Sequence, residues 1–331
     1  MDPKPHHQVP SEMDAAFTRR SDRGHAIEPS FAGALSFMRR RYAKDLDGVD
    51  LAVMGIPLDL TVTNRPGTRL GPRAIRAASA QLAWAGPWPW EFDPYDELAV
   101  VDHGDCFFDP GRPEEIPAAI EAAARAVIDR GCGLLSLGGD HFVTYPLLKA
   151  HAAVHGPLAL VQFDAHSDTW ADEPGRVDHG TMLFHAVRDG LIDPARSVQI
   201  GLRTHNTDPL GFNVIDGRAL QRLEPAAVAG HVRELVGDGP AYVTLDIDVL
   251  DASAAPGTGT PVIGGPQSWQ VQEILVNLVG LDVVGMDVVE VSPPFDVSEI
   301  TALAAATFAN DLVCLYARAK AARDRRGGAS A

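Results

Sequence analysis

Apolar residues along the chain fall into short continuous runs separated by longer, periodic stretches. Leu51–Ile56, Leu98–Asp102, Gly133–Leu137, Leu158–Phe163, Ser197–Leu202, Tyr242–Ile247 and Val283–Val289 are mostly unbroken apolar runs of strand length. Runs without strict alternation predict parallel strands buried on both faces. Helical patterns lie between them. Pro113–Asp129 carries Ile116, Ala119, Ile120, Ala123, Ala124 and Val127 at amphipathic spacing,. Pro72–Leu82 opens with proline in its first turn,. Val143–Val154, Thr181–Arg188, Pro225–Val236, Ser268–Val279 and Ser298–Arg325 complete the set. This βαβ alternation predicts an α/β fold of three layers, α/β/α, around a mainly parallel sheet. No composition shift splits it, so residues 29–326 read as one domain. The polar segment 1–28 and the tail 327–331 are expected to be loose.

Charge narrows the choice of partner. The 331 residues include 28 Lys+Arg against 44 Asp+Glu, a net charge of −16. That balance offers no basic face for nucleic acid or an anionic membrane, and it suits a cationic small molecule. Cys106, Cys132 and Cys314 are an odd set without CxxC spacing, which argues against a disulfide framework and for a reducing cytoplasm,. Met1–Asp22 lacks the apolar run of a signal peptide,. No unbroken apolar stretch reaches the ~18 residues of a membrane helix. The expectation is a cytoplasmic enzyme.

In a parallel sheet ligands bind beyond the carboxyl ends of the strands. Three polar motifs fall at such ends. Gly138-Gly139-Asp140-His141 follows one predicted strand, and its glycines let the backbone turn sharply and present an imidazole,. Alone it could equally be a turn with Asp140 as a helix cap. Asp164, His166 and Asp168 follow another strand at i, i+2, i+4, which in extended backbone puts all three on one side,. Asp246 and Asp248 repeat the pattern, with no Lys or Arg between Arg233 and the C-terminal helix to neutralise them. Buried carboxylates pointing together repel unless a cation lies between them. Four of them carry four negative charges, which two divalent ions would balance. Oxygen-rich ligation without thiolate favours Mn²⁺, with other divalent metals open. A pair of such ions generates a hydroxide nucleophile near neutral pH, so the reaction class is metal-assisted hydrolysis.

At these residues the chain resembles the ureohydrolase family of arginases, agmatinases and related guanidino hydrolases, on its agmatinase branch. The resemblance runs from about Leu51 to Leu315. It is carried by the motifs above and by Gly67–Pro72, Asp178–Met182, Ala255–Pro261 and Gly285–Val291, in that family's order. It implies a binuclear manganese centre with Asp164 and Asp246 bridging. His141 and Asp168 would complete one site, and His166 and Asp248 the other. It further implies that Glu290 receives the substrate guanidinium and that His179, in a loop near the site, binds substrate and shuttles a proton to the departing amine. Asp140 and Asp178 read as capping or supporting groups. A homo-oligomer, trimer or hexamer, is implied as well.

The substrate follows from departures. Arginases carry an Asn just after the DAHxD motif, and acidic residues after a Gly-Leu-Arg turn. Here Asp168 is followed by Thr169-Trp170-Ala171-Asp172, and Gly201-Leu202-Arg203 by Thr204-His205-Asn206. Both disfavour L-arginine and suit agmatine, a dication without a carboxylate, cleaved to putrescine and urea. Trp170 in place of the branch's usual Tyr, and Arg65 in the loop before Gly67, leave room for another guanidino-compound hydrolase such as a guanidinobutyrase. A catalytically silent scaffold or regulator fits poorly, because every motif residue is present. His103, beside Asp102 and Asp105, reads as a strand-end turn rather than a second metal cluster, and the Trp84, Trp88, Trp90 segment as packing.

Overall fold

The computed structural model describes residues 29–328 apart from 85, 174, 175 and 207. The segment expected to be loose at 1–28 therefore lies outside the described residues, as does most of the tail. Gly327 and Gly328 belong to the last helix.

Nine strands among the described residues form one all-parallel sheet. They are β1 (Arg41–Tyr42), β2 (Leu51–Gly55), β3 (Val100–Asp105), β4 (Gly133–Leu137), β5 (Ala159–Phe163), β6 (Val198–Ile200), β7 (Asn213–Ile215), β8 (Pro240–Asp246) and β9 (Asp282–Val289). Their order is β1-β3-β2-β4-β9-β8-β5-β6-β7. Seven were expected; β1 and β7 were not. These two outer strands span two and three residues and carry exposed or half-buried positions, so they leave no apolar run to read.

Successive residues of each strand feed opposite cores. Leu51 and Val53 of β2 face one core, and Ala52 and Met54 the other. The first face is covered by α1 (Gly71–Ser79), α7 (Pro225–Val236), α8 (Ser268–Asn277) and α9 (Ile300–Gly328), after α2 (Pro94–Glu97) and α6 (Gly217–Leu220) have served as connectors. The second is covered by α3 (Ile116–Ile128), α4 (Thr144–His155) and α5 (Met182–Arg188). Helix α3 buries Ile116, Ile120, Ala124, Val127 and Ile128, the stripe its sequence spacing demanded,. Residues 300–327 of α9 are long and apolar enough to cross a membrane, but 78% of the apolar 18-residue window within them is buried inside the protein.

The order of strands decides where the site lies. The chain lays down β4, then jumps to β5; β8 and β9 later fill the gap between them. The four strands β4-β9-β8-β5 are thus neighbours although they come from four separate stretches. The GGDH turn, Glu290, Asp246 and Asp164 stand at their carboxyl ends.

Candidate metal centre and substrate cavity

The GGDH turn leaves β4 tightly. A Cβ at Gly138 would sit 2.5 Å from the Val289 side chain, and one at Gly139 would overlap the backbone of Leu58. Only glycine lets the turn pass beneath that loop. His141 then opens the 3₁₀ turn that leads into α4. Its Nδ1 lies 3.1 Å from Asp164 Oδ2, 3.0 Å from Asp168 Oδ2 and 3.3 Å from Asp246 Oδ2. His166 Nδ1 lies 3.5 Å from Asp164 Oδ1 and 3.0 Å from Asp248 Oδ2. Two clusters result, His141–Asp164–Asp246 and Asp164–His166–Asp248, and Asp164 turns one oxygen to each. Asp246 joins the His141 cluster through Oδ2, while its Oδ1 accepts the Asp248 N–H at 2.8 Å.

These residues fit a pair of divalent cations. The His141 Nδ1 is buried without a hydrogen-bond partner. Its Nε2 is 2.8 Å from Thr244 Oγ1, whose hydroxyl donates to Asp287 Oδ1 at 2.6 Å. The Thr244 proton is thereby committed, so Nε2 must donate and Nδ1 presents a lone pair to three carboxylates. A lone pair facing anions is repulsive without a cation or proton between them. In the metal-free centre protons take that place: burial disfavours the His141 imidazolium, yet Asp164, Asp168 and Asp246 raise its pKa well above the usual range. Burial and neighbouring carboxylates hold Asp168 up at about 7 and raise Asp246. Burial likewise raises Asp248, and Asp164 repels it further, against the pull of His166. Burial disfavours the His166 imidazolium, yet Asp248 and Asp164 push it up to about 12. Burial also opposes ionisation of Asp164, but the two imidazoles draw its pKa down.

Behind the centre lies a row of polar residues that sequence reading missed. Ser136, Asp287, Thr244, Gln162 and Gln199 are register partners across β4-β9-β8-β5-β6. Gln199 Nε2 donates to Gln162 Oε1 at 2.6 Å, and Gln162 Nε2 to Asp164 Oδ2 at 2.7 Å. Asp287 is fully buried and receives hydroxyls from Tyr242, Thr144 and Thr244. The row was legible in principle. Gln162 and Thr244 each sit two residues before a motif aspartate, on the same strand face. Arg203 had no such signal. It donates to the carbonyls of Asp248, Val249, Leu250 and Val262, pinning the loop that carries Asp248.

Glu290 follows β9 in the left-handed region, φ 64°, and Asp168 does the same at φ 52°. Neither is glycine, so each position holds local strain at the site. Glu290 is fully buried. Its Oε1 accepts the His141 N–H at 2.9 Å and faces His179 Nδ1 at 3.1 Å, and its Oε2 has no partner. His179 Nε2 meets the Thr63 N–H at 3.2 Å and Thr63 Oγ1 at 2.9 Å. Because an amide N–H can only donate, the neutral ring carries its proton on Nδ1 and gives it to Glu290. Burial lowers the His179 pKa, but Glu290, with Asp168 and Asp140 nearby, raises it overall to about 9.

Asp140 stands at the N-cap position of the 3₁₀ turn, but its side chain is turned to another task. Its Oδ2 accepts the Thr61 N–H at 3.0 Å, tying down the loop that carries Thr63, and its side chain makes no capping bond. Burial, with Glu290 nearby, raises its pKa to about 7. Above the centre opens a cavity of about 300 Å³ lined by Thr63, His166, Asp168, Trp170, Asp178, His179, Gly180, Thr181, Asp246 and Thr260. No Lys or Arg lines it among the described residues. Arg65 stacks its guanidinium 5.2 Å over the Phe295 ring instead. His103 bonds the Ala43 carbonyl, and its neighbours Asp102 and Asp105 are taken by Arg76. Trp90 donates to Asp311, while Trp84 and Trp88 are exposed and line no part of this cavity.

With this geometry in hand, comparison with known proteins is decisive. A family model described as the arginase family matches residues 49–314. The chain belongs to the arginase family. It is 54% identical over 311 residues to an agmatinase of Chromobacterium violaceum, covering 93% of this chain and 97% of that protein. A solved structure described as a hypothetical agmatinase from Burkholderia thailandensis superposes with a TM-score of 0.92 at 54% identity, covering 94% of this chain and 98% of the other. Proclavaminate amidino hydrolase from Streptomyces clavuligerus follows with a TM-score of 0.84 at 38% identity, covering 88% and 100%. The arginase-family fold thus accounts for the all-parallel sheet, and the two His/Asp clusters are where this family member would hold its metals.

Proposed function

We infer that the protein is an agmatinase, hydrolysing the guanidino group of agmatine to putrescine and urea. One observation carries the choice of substrate. The charged and titratable groups lining the cavity above the centre are three carboxylates and two imidazoles, with no Lys or Arg among the described residues, so it suits a dication better than a substrate carboxylate,. Agmatinases 45–54% identical over most of the chain support the same reading. Arg65, the residue that favoured a guanidino acid, spends its guanidinium on Phe295.

His141, Asp164, His166, Asp168, Asp246 and Asp248 would hold two Mn²⁺, which would supply a hydroxide nucleophile near neutral pH. The protein's own groups do the rest. The unpartnered Oε2 of Glu290, with Oε1 fixed by two donors, receives the guanidinium and turns its carbon toward the centre. His179, held by Thr63 and Glu290 at the cavity wall, contacts the substrate and delivers a proton to the departing amine, which could not leave as an anion. The enzyme works in the cytoplasm, supplies polyamine synthesis and assembles as a homo-oligomer, trimer or hexamer. Its negative charge keeps nucleic acid and anionic membranes away.

The test is urea release from equimolar agmatine, L-arginine and 4-guanidinobutyrate by Mn²⁺-loaded protein. Agmatine should be turned over fastest. Faster turnover of either competitor overturns the assignment.

A further inference from the structure

Agmatine has two charged ends, and Glu290 accounts for one. We propose that Asp178, with the ring of Trp170 beside it, receives the ammonium at the far end and so sets the specificity of the cavity; this rests on the agmatinase reading. Asp178 lines the cavity and its side chain is 24% exposed, whereas Glu290 lies fully buried beneath. Its carboxylate therefore stands nearer the mouth than the one that takes the guanidinium. It is also pinned. Oδ1 accepts the Gly180 N–H at 3.0 Å, and the Asp178 N–H donates to Thr181 Oγ1 at 2.9 Å. Among the described residues Oδ2 meets Arg176 alone, 3.8 Å away on a side chain 70% exposed, a loose contact that water and salt screen,.

Trp170 forms the adjoining wall. Its backbone N–H donates to the Gly180 carbonyl at 3.3 Å, and its ring lies so close to Gly180 that a Cβ there would stand 3.5 Å from Cε3. The indole is 37% exposed and lines the cavity. An aromatic face beside a carboxylate favours an alkylammonium twice, by charge and by cation–π attraction. A substrate ending in a carboxylate would meet Asp178 instead and be repelled, which is specificity by exclusion.

The experiment compares agmatine with butylguanidine, which has the same guanidinium and chain but no ammonium. Wild-type protein and Asp178→Asn, both Mn²⁺-loaded, are assayed for urea. In the wild type kcat/KM should favour agmatine by about ten- to a hundredfold, the worth of a charged hydrogen bond. Asp178→Asn should remove most of that preference, chiefly through KM for agmatine, and Asp178→Glu should restore part of it. Trp170→Leu should lower it by a smaller factor. A wild type that does not prefer agmatine overturns the proposal. An Asn variant that slows both substrates equally overturns it too, since that is what a merely structural aspartate would do. Slow agmatine turnover relative to arginine or guanidinobutyrate would instead refute the agmatinase reading itself.

Discussion

Two groups of carboxylates are carried on or just after strands in this protein, and they are handled in opposite ways. On β3, Asp102 in mid-strand is fully buried and Asp105 at the end half-exposed, and a single guanidinium serves both. Arg76 forks onto Asp102 at 2.7 and 2.9 Å and reaches Asp105 at 2.6 Å. At the ends of β5 and β8, Asp164, Asp168, Asp246 and Asp248 find only the imidazoles of His141 and His166 as ionic partners among the described residues. Arg203 packs beside Asp248 yet gives its N–H groups to carbonyls. The first cluster is closed and structural. The second is short of positive charge, and a cation from outside must supply it. Local charge balance, more than the count of acidic residues, separates a brace from a site.

The comparison breaks most sharply at Asp246. Asp246→Asn should lower urea release by about a thousandfold or more and reduce bound metal per chain, measured by elemental analysis. Yet it should not destabilise the metal-free protein, because it removes one of several mutually repelling carboxylates. A metal-free variant less stable than wild type by more than about 1 kcal/mol would erase the contrast. The mirror experiment is Arg76→Met. It strands Asp102 and should cost about 3–5 kcal/mol in chemical denaturation, while the folded fraction keeps its metal and activity. Retained stability there would show that Arg76 is no brace.

A pH experiment gives the smallest effect. Asp168 is held up at about 7, and Asp246 and Asp248 are raised as well. The folded, metal-free centre therefore binds more protons than the unfolded chain, and its contribution to stability falls as pH rises from about 4 through 7. Metal binding must displace those protons and the ones that the carboxylates hold on His141 and His166, so it strengthens as pH rises,. Adding Mn²⁺ should raise the melting temperature by several degrees more at pH 8 than at pH 6. An equal shift at both values would mean the carboxylates carry no protons to displace. Arg76→Met should lower both curves without changing the difference.

Much of this was legible beforehand. The seven long apolar runs became the seven inner strands, because a strand buried on both faces must be apolar at nearly every position. The motif residues were legible because three ionisable groups after a buried strand have no cheap structural excuse. The two short edge strands were not, since a strand of two or three residues with open faces has no pattern. Nor was the role of Thr63, whose grip on His179 spans 116 residues of sequence.

By itself the sequence determined which residues must avoid water and which cannot do so alone, since hydrophobicity and charge belong to each side chain wherever it goes. It could not determine who meets whom. Only the order of strands, with β9 and β8 laid between β4 and β5, set Glu290 against His141 and Asp246 against Asp164. The same packing decided that Arg76 would neutralise one acidic cluster and that, among the described residues, no guanidinium would pair with the carboxylates of the other, because Coulomb attraction depends on distances that only the folded chain fixes,.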